Sequence, residues 1–156
     1  MFNGLGCSDQ ENTAPQTFTF SWNGSFAQLL NSQGTPICWF DASVEGEYRA
    51  SAMYTNYFQT LSGEEGKGYQ TLLMHLIAKI AQKQGLKYIE IHSATFGTNM
   101  DEAAIKWGFV PDPEGVGGDR VSDTNAVLKN TEAGVLGRRF DVPPVVTGNK
   151  DTITKK

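Results

Sequence analysis

The sequence predicts one α/β (α+β) domain with a mixed, mostly antiparallel sheet and a β-α-β core, and two observations lead to this fold class. The first half of the chain contains short aromatic and apolar runs separated by turn residues, which is typical of an antiparallel meander. The segment from Tyr69 to Gly85 instead repeats its apolar residues every three or four positions, the period of a helix with one buried face. A length of 156 residues suits a single hydrophobic core.

The meander is predicted to contain four strands. The first alternates aromatic and polar residues, and the Asn23-Gly24 pair that follows it is a frequent hairpin turn. The third is apolar enough to lie centrally in the sheet, and the fourth is rich in β-branched and aromatic residues. The predicted strands span residues 17–22, 25–32, 36–44 and 50–61.

The helical segment places its apolar residues on one stripe, and Gly85 suits the position just after the helix end. The stripe consists of Leu72, Leu73, Leu76, Ile77, Ile80 and Ala81. Residues 87–94 follow as a strand, so the fourth strand, the helix and this strand form a β-α-β unit. Such a crossover is right-handed and leaves its two strands parallel or nearly so.

The rest of the chain is predicted to add one short helix and one strand. Residues 98–110 suit a helix that begins at Thr98 or Asn99 and is closed by Gly108. A turn-rich loop separates this helix from a last strand near residues 121–129.

The domain is predicted to span residues 17–140. Residues 1–16 are polar with little hydrophobic pattern, which predicts a flexible lead-in. Residues 141–156 contain two adjacent prolines and a polar, lysine-ending terminus, which predicts an extended or disordered tail.

Charge and composition argue against several function classes. The formal net charge of −4 argues against nonspecific nucleic-acid binding, which needs a positive field to displace counterions from phosphates. No apolar run approaches the roughly 20 residues needed to span a bilayer, so no membrane partner and a cytoplasmic location are expected. Cys7 and Cys38 lie outside metal-binding spacings and only 2 histidines are present, so no metal site is predicted.

The stretch GEEGKGYQ, residues 63–70, runs directly into the predicted helix and has the build of an anion site. The first N–H groups of a helix lack intrahelical partners, and the helix dipole is positive there. Glycine lets the backbone approach a pyrophosphate because it has no Cβ. The stretch matches neither a Walker A loop nor a GxGxxG fingerprint, which disfavours a nucleotide triphosphatase or a dehydrogenase.

The sequence EGKGYQTLLMHLIAKIAQKQGLKYIEI, followed further along by AAIKWGFV, resembles the core of the GNAT superfamily of acyl-CoA N-acyltransferases. The family signature is Gln/Arg-x-x-Gly-x-Gly/Ala at the start of a helix. Glu65 falls at its Gln/Arg position, Gly68 at the central glycine and Gln70 at the final small residue. Ala104 falls where the family frequently carries an acid tyrosine. The resemblance covers residues 50–112.

The resemblance implies that acetyl-CoA is the acyl donor and lies in the splay between the fourth and fifth strands. Its pyrophosphate would lie on the N–H groups of residues 66–71, with its pantetheine alongside residues 58–60. Ser93 or Asn99 would hydrogen-bond its amide arm. The implied cofactor-binding residues are Phe58, Gln59, Thr60, Glu65, Gly66, Lys67, Gly68, Tyr69, Gln70, Thr71, Ser93 and Asn99.

Three residues are candidates for proton transfer in such a site. Tyr54 lies on the fourth strand, where some members of the family carry a glutamate base. His92 lies at the end of the fifth strand and can act as a base near neutral pH. Tyr57 is a candidate acid for the leaving thiolate. For each of them the alternative is an ordinary packing or surface role.

The function that the resemblance implies is N-acetyl transfer, in which a primary amine of a protein, peptide or small molecule attacks the thioester directly. Two alternatives stay open: a catalytically inactive GNAT-fold binding or regulatory protein, and an unrelated α+β interaction protein with a coincidental glycine turn. The sequence leaves the acceptor and the oligomeric state open, including a homodimer.

Overall fold

The computed structural model describes residues 15–92 and 98–156. Along the chain the elements are β1 (Gln16–Trp22), β2 (Phe26–Leu30), β3 (Pro36–Ser43), β4 (Ala52–Thr60), α1 (Tyr69–Lys83), β5 (Tyr88–Ile91), α2 (Thr98–Lys106), β6 (Val110–Pro111), β7 (Arg120–Asp123), α3 (Thr124–Gly137), β8 (Phe140–Asp141) and β9 (Asp151–Lys155). Among the helices in these two ranges, none combines the length and the apolar character that a bilayer crossing requires.

The described strands form one nine-stranded sheet in the order β6-β7-β5-β4-β3-β2-β1-β9-β8. β4 and β5 pair in parallel across the α1 crossover, whereas the neighbouring pairs β3–β4 and β5–β7 are antiparallel. The predicted mixed, mostly antiparallel sheet with a β-α-β core is therefore confirmed.

The core lies between one face of this sheet and the helices. Inward residues alternate along the strands, as Phe18 and Phe20 do on β1 and Phe40 and Ala42 on β3. The predicted stripe of α1 is buried against this face, but Met74, His75 and Ala78 are buried as well. The reason is that α1 is enclosed from two sides, by the sheet and by α3.

The prediction of a last strand near residues 121–129 is wrong beyond Asp123, because α3 begins at Thr124. The start of α3 is tied to the end of the α1 crossover: the Thr124 N–H donates to the Lys87 carbonyl at 2.9 Å. Val127, Thr131 and Val135 then follow at four-residue spacing and are buried. That spacing is helical, but only two of these three residues are apolar, so the signal in the sequence is weak.

The tail prediction for residues 141–156 also needs correction. β9 pairs with β1 in a register that runs from Gln16↔Lys155 to Phe20↔Asp151, and Ile153 is fully buried. The Asp151 carboxylate accepts the Gly148 N–H at 2.7 Å and thereby closes the turn before β9. The segment is extended but belongs to the sheet. The predicted lead-in overlaps β1 at Gln16, and its residues 1–14 lie outside the described part.

His75 lies at the contact between α1 and α3. Its Nδ1 is 2.7 Å from the Thr131 hydroxyl oxygen, and that hydroxyl donates to the Val127 carbonyl at 2.7 Å. The hydroxyl proton is therefore used, so Nδ1 carries a proton and donates it to Thr131. Burial, together with the nearby charge of Lys79, lowers the pKa of His75 to about 4.

This buried histidine predicts a loss of stability in mild acid. An unfolded histidine ionises near pH 6.5, so between pH 6.5 and 4 the unfolded chain binds a proton that folded His75 does not. Stability is complete above that range and falls as the pH drops, by about 2 kcal/mol at roughly pH 5. Urea unfolding at neutral pH and at about pH 5 measures this loss of unfolding free energy. In His75→Gln, whose side chain cannot titrate, most of the stability difference between the two pH values should disappear. An undiminished difference in this variant would show that His75 is not its source.

Candidate active site

The pairing of β4 with β5 ends where β5 ends, at Ile91. Their parallel register runs from Ala52↔Tyr88 to Thr55↔Ile91, and the His92 N–H donates to the Thr55 carbonyl at 3.0 Å. β4 continues to Thr60 with no β5 residue beside it. Among residues 15–92 and 98–156, no strand pairs with this edge of β4 beyond Thr55, which agrees with the predicted splay.

A β-bulge lies in β4 just after its last residue that pairs with β5. The β3–β4 register passes from Asp41↔Asn56 to Trp39↔Gln59, so two residues of β4 oppose Phe40 alone. One of them is Tyr57, whose φ of +57° lies in the left-handed region that tyrosine rarely adopts. The Asn56 side chain accepts the Tyr57 N–H at 2.8 Å. Such strained positions cluster at functional sites.

A cleft of about 530 Å³ lies beside the end of β4. Nine of the predicted cofactor residues line it: Phe58, Gln59, Thr60, Glu65, Gly66, Gly68, Tyr69, Gln70 and Thr71. Residues of α2 form another wall, and the Trp107 indole just after it donates to the Thr71 hydroxyl at 3.1 Å. Lys67 does not line the cleft. Ser93 lies outside the described residues, and Asn99 is in α2 with its side chain outside the description.

The two acidic residues of the glycine turn are engaged within the turn. Glu65 Oε1 accepts the Gly63 N–H at 2.8 Å, and Glu64 pairs with Lys67 at 3.2 Å. Gly68 precedes α1 with a φ of +84°, no side chain caps the helix start, and its first turn contains no acidic residue. No side chain therefore caps the first N–H groups of α1, and the positive end of the helix dipole lies at the cleft.

The end of α3 brings a cation to the same turn. A Cβ on Gly68 would lie 3.2 Å from Arg138 Cγ and 3.4 Å from its Nε. α3 approaches α1 this closely because Gly134 has no side chain: a Cβ there would lie 3.1 Å from Thr71 Cγ2. The uncapped helix start, the glycine and Arg138 together suit a phosphate group.

Gln70 occupies the position at which the GNAT signature has a small residue, and its side chain crosses from α1 to β4. Nε2 donates to the Gln59 carbonyl at 2.8 Å and to the Thr60 hydroxyl at 3.1 Å. Oε1 is buried and has no hydrogen-bond partner among the described residues. The side chain therefore does not extend over the glycine turn, and the cleft stays open to a phosphate-bearing acyl donor, which these residues fit.

A polar cluster surrounds His92 on the sheet face opposite α1. The His92 ring lies between Tyr48, at a centroid distance of 5.2 Å, and Tyr54, at 4.6 Å. Its Nε2 is 3.2 Å from Glu90 Oε1, and its Nδ1 is 3.7 Å from Asp119 Oδ2. The Tyr48 hydroxyl donates to the same Asp119 oxygen, and this bond, with burial and nearby acidic charge, raises the pKa of Tyr48 to about 12.

The three predicted catalytic residues are placed differently. Tyr54 and His92 are brought together where the β4–β5 pairing ends, and Asn56 Nδ2 donates to the Tyr54 hydroxyl oxygen at 2.9 Å. The hydroxyl proton of Tyr54 is thus left for another acceptor. Tyr57 is 49% exposed and does not line the cleft; it is the left-handed residue of the bulge.

Solved structures of acetyltransferases share this architecture. The PaiA N-acetyltransferase of Thermoplasma acidophilum, in complex with coenzyme A, superposes with a TM-score of 0.51 at 15% identity over 73% of this chain and 62% of that chain. A GNAT-family acetyltransferase of Staphylococcus aureus Mu50 gives a TM-score of 0.55 at 8% identity over 64% and 66%. Ard1 of Thermoplasma volcanium gives 0.52 at 14% identity over 66% and 72%.

The chain has the GNAT fold. The resemblance predicted from the glycine turn, the α1 helix and the β5 strand is thereby confirmed at the level of the fold. The chain spans 62% of the length of the PaiA structure at 15% identity, so this similarity does not assign a substrate to the chain. Neither a protein-family model nor a curated protein sequence matches the chain.

Within this GNAT fold, the sequence predictions missed the groups that hold the polar cluster in place. Glu90 is fully buried and accepts the Glu47 N–H at 2.7 Å, the Tyr48 N–H at 3.2 Å and Arg49 Nη1 at 2.8 Å. A signal for Glu90 was present, because it lies two residues before His92 and therefore on the same strand face. Its role is to hold the loop after β3 against the sheet.

Arg49 joins that loop to the segment between β6 and β7. Its guanidinium contacts both Asp112 carboxylate oxygens. Burial raises the pKa of Asp112, but the bonds from Arg49 and from the Glu114 N–H outweigh it, so this pKa lies below its ordinary value. No local pattern in the sequence could find this pair, because its members are 63 positions apart.

Proposed function

We propose that this protein is an acyl-CoA-dependent N-acyltransferase that moves acetyl from acetyl-CoA to a primary amine of a protein, peptide or small molecule. The observation that carries the proposal is the cleft at the end of β4, whose lining joins the last residues of β4 to the uncapped start of α1, with Arg138 beside Gly68. A cytoplasmic location and a homodimer stay predictions.

The donor side follows from the cleft. The N–H groups of residues 66–71 and the guanidinium of Arg138 would bind the phosphates, and Lys67 can add charge if it leaves Glu64. Residues 58–60 would run beside the pantetheine arm. Ser93 and Asn99 stay proposed contacts of the same arm. Acetyl-CoA would supply the activated acyl group, and the residues at the end of β4 would hold it.

Proton transfer falls to the residues at the mouth of the splay. His92 would take at Nδ1 the proton that the amine loses as the new N–C bond forms, while Glu90 would accept the Nε2–H and orient the ring. Tyr54, whose hydroxyl oxygen is bonded by Asn56, donates its proton to the thiolate as the C–S bond breaks. Tyr57 stays the alternative acid. The bulge at Tyr57 would shape the backbone that precedes the proposed pantetheine contacts at residues 58–60.

One observation favours the second candidate, a GNAT-fold binding protein without catalysis. His92 is only 8% exposed, and both of its ring nitrogens face carboxylates. A histidine in this position also serves as a structural link between β5 and the segment that carries Asp119.

Two measurements separate the candidates. Acetyl-CoA at one hundred times its Kd should add about 2.7 kcal/mol to the free energy of unfolding. Thiol release with a panel of primary amines then distinguishes transfer from binding alone. No stabilisation at millimolar acetyl-CoA would exclude both the transferase and a CoA-binding module, and stabilisation without thiol release would favour the inactive module.

Gly68→Leu tests whether the turn is the donor site. Leucine at a left-handed φ costs about 1–2 kcal/mol of stability, and its side chain would enter the phosphate region beside Arg138. We expect acetyl-CoA affinity to fall at least about tenfold, or about 1.4 kcal/mol, in a titration followed by calorimetry.

Gly63→Leu is the matched control for this variant. Gly63 has a similar φ of +91°, and a Cβ there would meet nothing within 4 Å. It should lose comparable stability and keep its acetyl-CoA affinity. Equal affinity losses in both variants would mean that the turn acts only through folding.

A further inference from the structure

The sheet face opposite α1 has no helix on it in the described part of the chain. α1 packs on the buried residues of β2, β3 and β4, and α3 packs on α1. On the other face, Phe26 and Gln28 of β2, Trp39 and Asp41 of β3 and Tyr54 of β4 are only partly buried. Tyr54 and His92 lie on this second face, so it is the side from which an acceptor would approach.

Asp41 lies at the centre of that face. It is paired across the sheet with Phe26 on β2 and with Asn56 on β4, so the three side chains form one row. The Asp41 side chain makes neither a hydrogen bond nor an ion pair within the residues that the structure describes. Burial also raises the pKa of this carboxyl. A partly buried carboxylate without a partner is costly, and such groups are found at binding sites.

An apolar groove adjoins Asp41. Its volume is about 360 Å³, and its lining includes the apolar side chains of Phe26, Trp39 and Leu61. Phe26 is the cross-strand neighbour of Asp41, and Trp39 is the next residue of β3 on the same face. On its other side Asp41 faces Asn56, which bonds the Tyr54 hydroxyl. One ligand can therefore contact the groove and Asp41 beside the catalytic candidates.

We propose that this face binds an acceptor whose primary ammonium group is joined by a short chain to an apolar group, with Asp41 holding the ammonium and the Phe26–Trp39–Leu61 groove holding the apolar group. The inference rests on the proposed function and names the acceptor class that it left open. The ammonium satisfies the carboxylate that lacks a partner, and the acidic net charge of −4 favours the approach of a cation.

The test uses three small probes and the full chain, titrated by calorimetry without acetyl-CoA. 2-Phenylethylamine carries both groups, ethylamine only the ammonium and 2-phenylethanol only the apolar group. We expect 2-phenylethylamine to bind at least about tenfold tighter than either of the others. Asp41→Asn should reduce its affinity about tenfold and leave 2-phenylethanol unchanged.

Two controls make the result decisive. Glu132→Gln removes an exposed carboxylate on α3 and should change none of the affinities. The unfolding midpoint of Asp41→Asn should equal or exceed that of the native chain, because the carboxylate has no partner to lose. A lower midpoint would indicate a structural role and overturn the proposal.

The remaining outcomes also decide. Equal binding of 2-phenylethylamine by Asp41→Asn, no binding by the native chain, or a dimer through this face that the amine does not dissociate would each overturn the acceptor site. If 2-phenylethylamine binds through Asp41 but acetyl-CoA gives no thermal stabilisation, the ligand site stands and the transferase proposal fails. If acetyl-CoA binds and the amine does not, the acceptor site fails while the transferase proposal stands.

Discussion

Replacing Glu90 by alanine is expected to lower the free energy of unfolding by about 3–5 kcal/mol, because it breaks a buried ion pair and leaves its partners without an acceptor. The Glu47 and Tyr48 N–H groups and one Arg49 nitrogen all donate to this carboxylate, which is fully buried. Urea unfolding at neutral pH measures the loss.

Glu132→Gln is the control for this prediction, since Glu132 is exposed on α3 and should change stability by less than about 0.5 kcal/mol. A loss below about 1 kcal/mol in Glu90→Ala would show that the loop after β3 is held by other contacts. The position of the Arg49 side chain would then depend mainly on its ion pair with Asp112.

Replacing His92 by glutamine is expected to reduce kcat for acetyl transfer by about 10²–10⁴-fold, the usual contribution of a positioned base. Glutamine can still bond Glu90 but cannot accept the proton of the attacking amine. The KM for acetyl-CoA should change little, because His92 lies outside the donor cleft. Steady-state thiol release at saturating amine gives both constants.

His75→Gln is the matched control, because it changes the other histidine, which is buried between α1 and α3. Its kcat near pH 7.5 should equal that of the native chain. If His92→Gln retains more than a tenth of the native kcat while the fold is intact, His92 is a structural link, and the base is another group or a water molecule.

The elements that were predicted correctly are those with a strong local period. The α1 helix follows from six apolar residues on one stripe, and the β2 strand from its neighbouring turn residues. α3 was missed because one of its buried positions, Thr131, is polar and so weakens the apolar period of Val127 and Val135. The Thr131 hydroxyl can be buried because it donates to the Val127 carbonyl. β9 was missed because its residues are mostly polar, and only pairing with β1 decides that Ile153 is buried.

The donor cleft could be predicted from neighbouring residues in the sequence, whereas the polar cluster could not. The Gly68 turn, the α1 start and the last residues of β4 lie close together along the chain, so a local motif could point to them. Tyr48 and Asp119 are 71 positions apart, and their contact depends on two loops that Arg49 joins. Arg138 reaches the turn only because α3 packs on α1.

The sequence by itself determined the backbone at the glycine turn, because a left-handed residue and an uncapped helix start depend on the side chains of a few neighbouring positions. It also determined the α1 stripe and, through them, the GNAT fold. Only the tertiary structure decided which charges have partners. Glu90 accepts bonds from three N–H donors and Asp41 from none among the described residues, although both are single acidic residues in apolar strands. The difference arises because a carboxylate finds its partners across the sheet and from loops, at distances along the chain that no local pattern spans.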